Sequence, residues 1–247
     1  MEQIREERMQ IPMEWGDDEG ILRPSALFSF WSGMAMAHWE DTPIGQTALR
    51  QQGLLWIISR QCAVISRLPS AGEQVVVRTW ADKPRHGMFP RYYELAEPAG
   101  RLLVQGGALW TLLEEKRRTM VHCREEVFFP AVKTGREVCL LTPINEIPGE
   151  HHFPYTVRPE DVDGNGHMNN AHYFDMVASR VKEKGKDLRE IQVKYAREAK
   201  CGDTITVDWG FEKGGYFFQG NKGRCFSLSL RYGEEGAGTV PPFCKRK

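Results

Sequence analysis

Two kinds of apolar pattern alternate along the chain, and the alternation comes round twice. After Pro24-Ser25, the segment Ala26 to Trp39 places Leu27, Phe28, Phe30, Trp31, Met34, Met36 and Trp39 on nearly every side of a helix, which predicts a buried one. Ser25 is suited to cap that helix and Pro24 to shape its start. Strand-like runs follow at Trp56–Val64, Glu73–Ala81, Arg91–Ala96 and Arg101–Leu113, the last two separated by the turn Pro98-Ala99-Gly100. The plan then repeats. A short strand is predicted at Phe153–Val157, a glycine-punctuated loop over Asp161–Asn170, and a helix over about 171–184 with Tyr173, Met176, Val177 and Val181 on one stripe. Strands recur at Glu190–Ala199, Thr204–Lys213, Tyr216–Gly220 and Cys225–Tyr232. A helix followed by several antiparallel strands is the order of an α+β unit, here present twice. Residues 131–149 show no clear periodicity and read as a linker. The division expected is therefore 1–130, linker 131–149, and 150–247, with a glycine- and proline-rich tail from Gly233.

Composition adds exclusions. Formal net charge is zero, so charge balance gives no support to a nucleic-acid partner. No apolar run reaches the ~18–20 residues of a membrane span, and Met1–Arg8 is charged with no apolar signal core. The expected compartment is the cytoplasm. Cys62, Cys123, Cys139, Cys201, Cys225 and Cys244 are scattered, with no C-x-x-C pair and no histidine at zinc-finger spacing, so free thiols and no metal are expected.

The chemistry concentrates in Asp161-Val-Asp163-Gly-Asn165-Gly-His167-Met-Asn169-Asn170-Ala-His172-Tyr173. Asp163, Asn165 and His167 stand two residues apart, so in an extended chain they share a side. Gly164 and Gly166 between them remove bulk and permit tight turns. A carboxylate, an amide and an imidazole are thereby lined up ahead of a helix N-terminus, whose free N–H groups add partial positive charge. These are the parts needed to hold a thioester carbonyl and activate water. The same residue types also build ordinary loops and caps, and Asn169 and Asn170 read as caps.

The segment resembles the signature D-x-D-x-N-x-H-x-N-N-x-x-Y of plant plastid and bacterial acyl-acyl-carrier-protein thioesterases. The family's Y-x-x-E element is matched by Tyr195-Ala-Arg197-Glu198. Thr79-Trp80, Arg91, Gly100-Arg101 and Trp110 are similar to its first repeat. The resemblance spans about residues 1–235. It implies a tandem hot-dog fold in which long antiparallel sheets each wrap round a central helix. The N-terminal repeat would house the acyl chain, the C-terminal repeat would be catalytic, and no cofactor would be needed. Asp163, Asn165, His167 and Glu198 would form the catalytic set. Glu198 is the preferred base, with Asp163 able to exchange roles with it. Ala199 stands where plant members often carry a cysteine, which disfavours a cysteine acyl-enzyme and favours carboxylate-activated water. An apolar tunnel is expected along Phe28, Trp31, Met34 and Trp56. The expected partner is an acyl carrier protein, and the basic stretch Arg180–Lys200 could dock it. A monomer or a homodimer fits. An acyl-CoA thioesterase and a non-catalytic acyl-binding module are the competing functions, with a dehydratase ranked below them. Strict alternation from Ile191, Val193 and Tyr195 turns Glu198 to the opposite face. Either a bulge near Arg197 or a site facing away from the helix is therefore required.

Overall fold

A computed structural model describes residues 3–40, 42–121, 131–135, 137, 143–144, 146, 148–183, 187–221 and 223–233. Cys123, Cys139, Cys244, part of the expected linker and the tail beyond Gly233 lie outside these. The elements are β1 (Ile4–Gln10), α1 (Pro24–Trp39), α2 (Gln46–Gln51), β2 (Leu54–Ile65), β3 (Gln74–Ala81), β4 (Met88–Ala96), β5 (Leu102–Glu114) and β6 (Thr119–Met120). There follow β7 (His151–Thr156), α3 (His172–Ala178), β8 (Leu188–Tyr195), β9 (Thr204–Glu212), β10 (Gly215–Gly220) and β11 (Phe226–Tyr232).

All the strands join one antiparallel sheet in the order β1-β3-β4-β5-β2-β8-β11-β10-β9-β7, with β6 hydrogen-bonded to β5. The order encodes a duplication. Read outward from the middle, β2-β5-β4-β3-β1 on one side is matched by β8-β11-β10-β9-β7 on the other, with α1 and α3 in equivalent places. The halves meet edge to edge where β2 pairs β8, from Arg60 opposite Lys194 to Val64 opposite Glu190. That seam satisfies two sheet edges that would otherwise stay open. The outermost strand of the first half, β1, escapes apolar pattern reading because its sequence is Ile-Arg-Glu-Glu-Arg-Met-Gln. It is held by ladder pairing to β3 and by the Arg78–Glu6 ion pair at 2.7 Å. Charge on an edge strand is also what discourages pairing with another molecule.

The helix α1 departs from expectation in two respects. It begins at Pro24 itself, where a fixed φ and a missing N–H suit the first helical position, and no side chain caps it. Ser25 lies inside the first turn and is buried. Nor is the helix buried all round. Ser29, Gly33 and Ala37 are exposed, and Leu27, Phe28, Trp31, Met34 and Trp39 face the core. Trp31 lies across β5 at Gly106, where an added Cβ would come within 2.3 Å of the indole, and it stacks on Tyr93 at 4.9 Å. Arg91 ties down the far end of the helix. Its guanidinium is fully buried, 4.1 Å from the centre of the Trp39 ring, and donates to His38 Nδ1 at 3.0 Å and to Thr79 Oγ1 at 3.1 Å. Burial lowers its pKa to about 10. The second helix, α3, stops at Ala178, short of the expected 184. It meets α1 through a parallel stack of Phe174 on Phe28, with centroids 4.9 Å apart.

Candidate functional site

The loop between Asp161 and Asn170 is folded by its own polar groups. Asp161 is almost fully buried and accepts the Tyr155 hydroxyl at 2.6 Å and the Arg158 N–H at 2.8 Å. Its backbone carbonyl takes the Asn169 N–H at 2.8 Å. The Asp163 and His167 backbones pair at 2.9 Å, and Gly166, at φ +82°, supplies the left-handed residue this tight loop needs. The Met168 N–H donates to Ala199 O at 2.7 Å, fastening the loop beside the chain that follows β8. Asn169 does not cap α3, whose N-cap is Ala171 with no side-chain cap; its Oδ1 closes the turn ahead of the helix by accepting the Ala171 N–H at 3.0 Å. The His172 N–H goes to Asn169 O and the Phe174 N–H to Ala171 O. The expected free N–H groups at this helix start are therefore largely used by the loop, and α3 is only seven residues long.

Asp163, Asn165 and His167 are brought together by the tight turn and not by the extended chain their spacing suggested, since the Gly166 N–H closes back on Asp163 O at 3.0 Å, and Glu198 joins them. The Asp163 carboxylate accepts the Asn165 backbone N–H at 2.8 Å and its Nδ2 at 3.3 Å. His167 Nε2 lies 3.4 Å from Glu198 Oε2. Glu198 reaches this face because β8 ends at Tyr195: the N–H groups of Ala196 and Arg197 both donate to the Cys225 carbonyl, at 2.8 and 3.1 Å, a bulge-like pairing after which the chain leaves the ladder. Strand alternation therefore stops before Glu198, and the bulge near Arg197, the first of the two routes the sequence allowed, falls at the strand's end and not within it. Burial, reinforced by the charges of Arg118 and Lys200 and opposed by Asp163, lowers the His167 pKa below its ordinary 6.5. The ring is therefore neutral at pH 7.

These four side chains stand at one side of a half-open cavity of about 830 Å³ that straddles the seam. Phe28, Met36, Trp56, Ile58 and Trp110 supply its apolar wall, and Ser29, Ser32 and Gly33 of α1 line it as well. Of the four expected tunnel residues, Phe28 and Trp56 line it. Trp31 and Met34 do not: they point from α1 into the sheet-side core, Trp31 because Gly106 leaves a seat for its ring.

Three residues on the cavity were not singled out in the sequence. Gln61 on β2 is almost fully buried and accepts the Tyr195 hydroxyl at 3.0 Å across the seam, and that hydroxyl also lies 3.1 Å from Asn170 O. A glutamine interrupting an apolar strand was its signal. Arg50 on α2 donates to Asn165 Oδ1. Arg118, in the β5–β6 turn, pairs with Glu198. Neither arginine carries a local signal, because each partner lies far along the chain. Among the described residues no cluster of His, Cys, Asp or Glu could hold a metal ion, and no helix is long and apolar enough to cross a membrane. Of the described cysteines, Cys62 and Cys225 are buried and Cys201 is exposed, and all three are free thiols.

Comparison with known proteins points the same way. The chain is 24% identical over 167 residues to the chloroplastic palmitoyl-acyl carrier protein thioesterase of Gossypium hirsutum, a match covering 62% of this chain and 40% of that protein. It is 22% identical over 176 residues to the chloroplastic oleoyl-acyl carrier protein thioesterase 1 of Arabidopsis thaliana, covering 64% and 49%. The chain thus spans less than half the length of these plant relatives. Its fold is that of an acyl-ACP thioesterase from Bacteroides thetaiotaomicron (TM-score 0.74, 18% identity, 94% of this chain and 98% of that one). It is also that of the 12:0-ACP thioesterase from Umbellularia californica (TM-score 0.75, 17% identity, 94% and 98%). The α+β, double hot-dog architecture is therefore shown. Residues 2–130 match the acyl-ACP thioesterase N-terminal domain and residues 146–222 the acyl-ACP thioesterase C-terminal domain, and the chain belongs to the acyl-ACP thioesterase family.

Proposed function

We propose that the chain hydrolyses the thioester between a fatty acyl group and the phosphopantetheine arm of an acyl carrier protein. The observation that carries this reading is the convergence of Glu198, His167 and Asn165 beside a largely apolar cavity of about 830 Å³. In the proposed reaction Glu198 takes a proton from water as the oxygen attacks the thioester carbon. The carbonyl electrons move onto oxygen, which accepts a hydrogen bond from the second Nδ2–H of Asn165. Collapse breaks the carbon–sulfur bond, and the proton on Glu198 passes to the departing thiolate. The products are a free fatty acid and the carrier thiol. Asp163 is the orienting carboxylate in this scheme, since both its described bonds go to Asn165. A neutral His167 with its proton on Nε2 would point an N–H at Glu198 and fix it for the attacking water.

Under this reading the N-terminal half supplies most of the acyl-binding wall and the C-terminal half the chemistry. Turnover of carrier-protein and coenzyme A thioesters of one acyl chain tests it. A higher kcat/KM on the carrier thioester is expected. A preference for coenzyme A would move the assignment to that substrate, and no release of fatty acid from either would leave an acyl-binding module. The proposed compartment is the cytoplasm, which fractionation of the tagged chain would check. Light scattering separates the monomer and the homodimer.

A further inference from the structure

The proposed catalytic groups all come from the C-terminal half, yet two of them are held by arginines from the N-terminal half. The Asn165 side chain is pinned at both ends. Its Nδ2 donates to Asp163 within the loop, and its Oδ1 accepts from Arg50 Nη2 on α2. Only one amide orientation satisfies both partners, because a flipped amide would set its NH₂ against the guanidinium. Glu198 sits on the irregular stretch beyond the bulge, and its side chain is more than one-third exposed. A carboxylate there has several rotamers open to it unless something fixes it. Arg118 does so, pairing with the same oxygen, Oε2, that faces His167.

The turn that presents Arg118 is built for the purpose. It belongs to the charged run Glu114-Glu115-Lys116-Arg117-Arg118. The Glu114 carboxylate accepts the N–H groups of Lys116 and Arg117, at 3.3 and 2.7 Å, and Glu114 O accepts that of Arg118 at 2.9 Å. Arg118 itself adopts a positive φ of 54°, uncommon for a side chain of this size. Of the three basic residues in the run, Arg118 is the one that lines the cavity.

We infer that Arg50 and Arg118 are positioning residues, through which the N-terminal half completes the site by orienting the Asn165 amide and the Glu198 carboxylate. This rests on the hydrolase reading above. The N-terminal half is then more than a container for the acyl chain, since the reaction depends on the seam between the halves. The charged and titratable groups that line the site are Arg50 and Arg118 from the N-terminal half, and Asp163, His167, Tyr173, Tyr195, Arg197 and Glu198 from the C-terminal half, with the charge of Lys200 also reaching His167.

The test uses the full chain with Arg118→Gln, Arg118→Lys, Arg50→Ala and Arg50→Lys. Positioning predicts that Arg118→Gln and Arg50→Ala lower kcat by roughly 10–100-fold with KM little changed, and that each lysine variant recovers part of the loss. Loss of the Arg118 charge also favours protonation of both Glu198 and His167. In Arg118→Gln the acidic limb of kcat/KM therefore moves to higher pH, and the ring titration of His167 followed by NMR moves the same way, with the lysine variant near the unmodified chain. Unmoved limb and titration in a folded, thermally unchanged Arg118→Gln variant, beside normal turnover of the unmodified chain, would overturn the positioning role alone. No turnover by the unmodified chain would overturn the hydrolase reading and the role together.

Discussion

Phe28 joins fold and cavity at one residue, so its truncation tests both. The ring is buried, stacks on Phe174 of α3 at 4.9 Å and 1°, and meets Trp31 edge-on at 5.5 Å and 84°. Removing a buried phenylalanine ring costs about 3–5 kcal/mol, of which each aromatic pair accounts for about 0.5–1.5. One side of this ring already borders the cavity of about 830 Å³. The vacated space opens into that volume and leaves no sealed void, which places Phe28→Ala at the lower end, about 3 kcal/mol. Urea unfolding followed by tryptophan fluorescence reads this as a lower midpoint with an unchanged slope. The same variant has a larger cavity, so on carrier thioesters of graded chain length its preference moves toward longer chains, and Phe28→Trp moves it toward shorter ones. A loss below about 1 kcal/mol would refute the packing argument. An unchanged chain-length profile in the folded variant would refute the cavity as the acyl site.

Gly106→Ala should destabilise the chain markedly, because the new methyl would meet the Trp31 ring at 2.3 Å and the Cys62 carbonyl oxygen at 2.7 Å with no room to yield, and thermal unfolding measures it. Cys201→Ala should keep most turnover, since the thiol is exposed and does not line the cavity; full loss in the folded variant would restore a cysteine nucleophile. NMR titration of the His167 ring should give a midpoint below 6.5, and a midpoint above it would contradict the burial that sets the shift. The unfolded chain binds that proton at a higher pH than the folded one. His167 accordingly makes the fold less stable as pH falls from the ordinary imidazole range through the lowered value, the sign to look for in acid unfolding.

The legible part of this structure is the part set by local pattern. The large apolar runs become β2, β5, β8 and β11, and Asp163, Asn165 and His167 do meet, though through a tight turn at Gly166 and not through the extended chain their spacing suggested. What stayed hidden depends on partners distant in sequence. β1 carries four consecutive charged residues, Arg5 to Arg8, and its strand state comes from pairing with β3. The helical pattern of α1 showed how apolar it is but not which face meets the sheet. That is decided by Gly106, whose missing side chain admits Trp31 and so takes Trp31 and Met34 away from the cavity. Alternation alone misplaced Glu198, and the sequence could name a bulge as one remedy but not choose it. Arg50 and Arg118 were invisible because their partners come from the other half of the chain.

The central claim is that Glu198 removes the proton from water while Asp163 holds Asn165 in place. Its most direct measurement is steady-state release of fatty acid from one acyl-carrier thioester by the unmodified chain, Glu198→Gln and Asp163→Asn, each shown to be folded. Glutamine preserves size and hydrogen bonding but cannot take the proton, so Glu198→Gln should lower kcat by about 10²–10⁴-fold. Asp163→Asn keeps a carbonyl oxygen for the Asn165 N–H and should cost less. Near-native turnover in Glu198→Gln, with Asp163→Asn the more damaged variant, would contradict the account and make Asp163 the base.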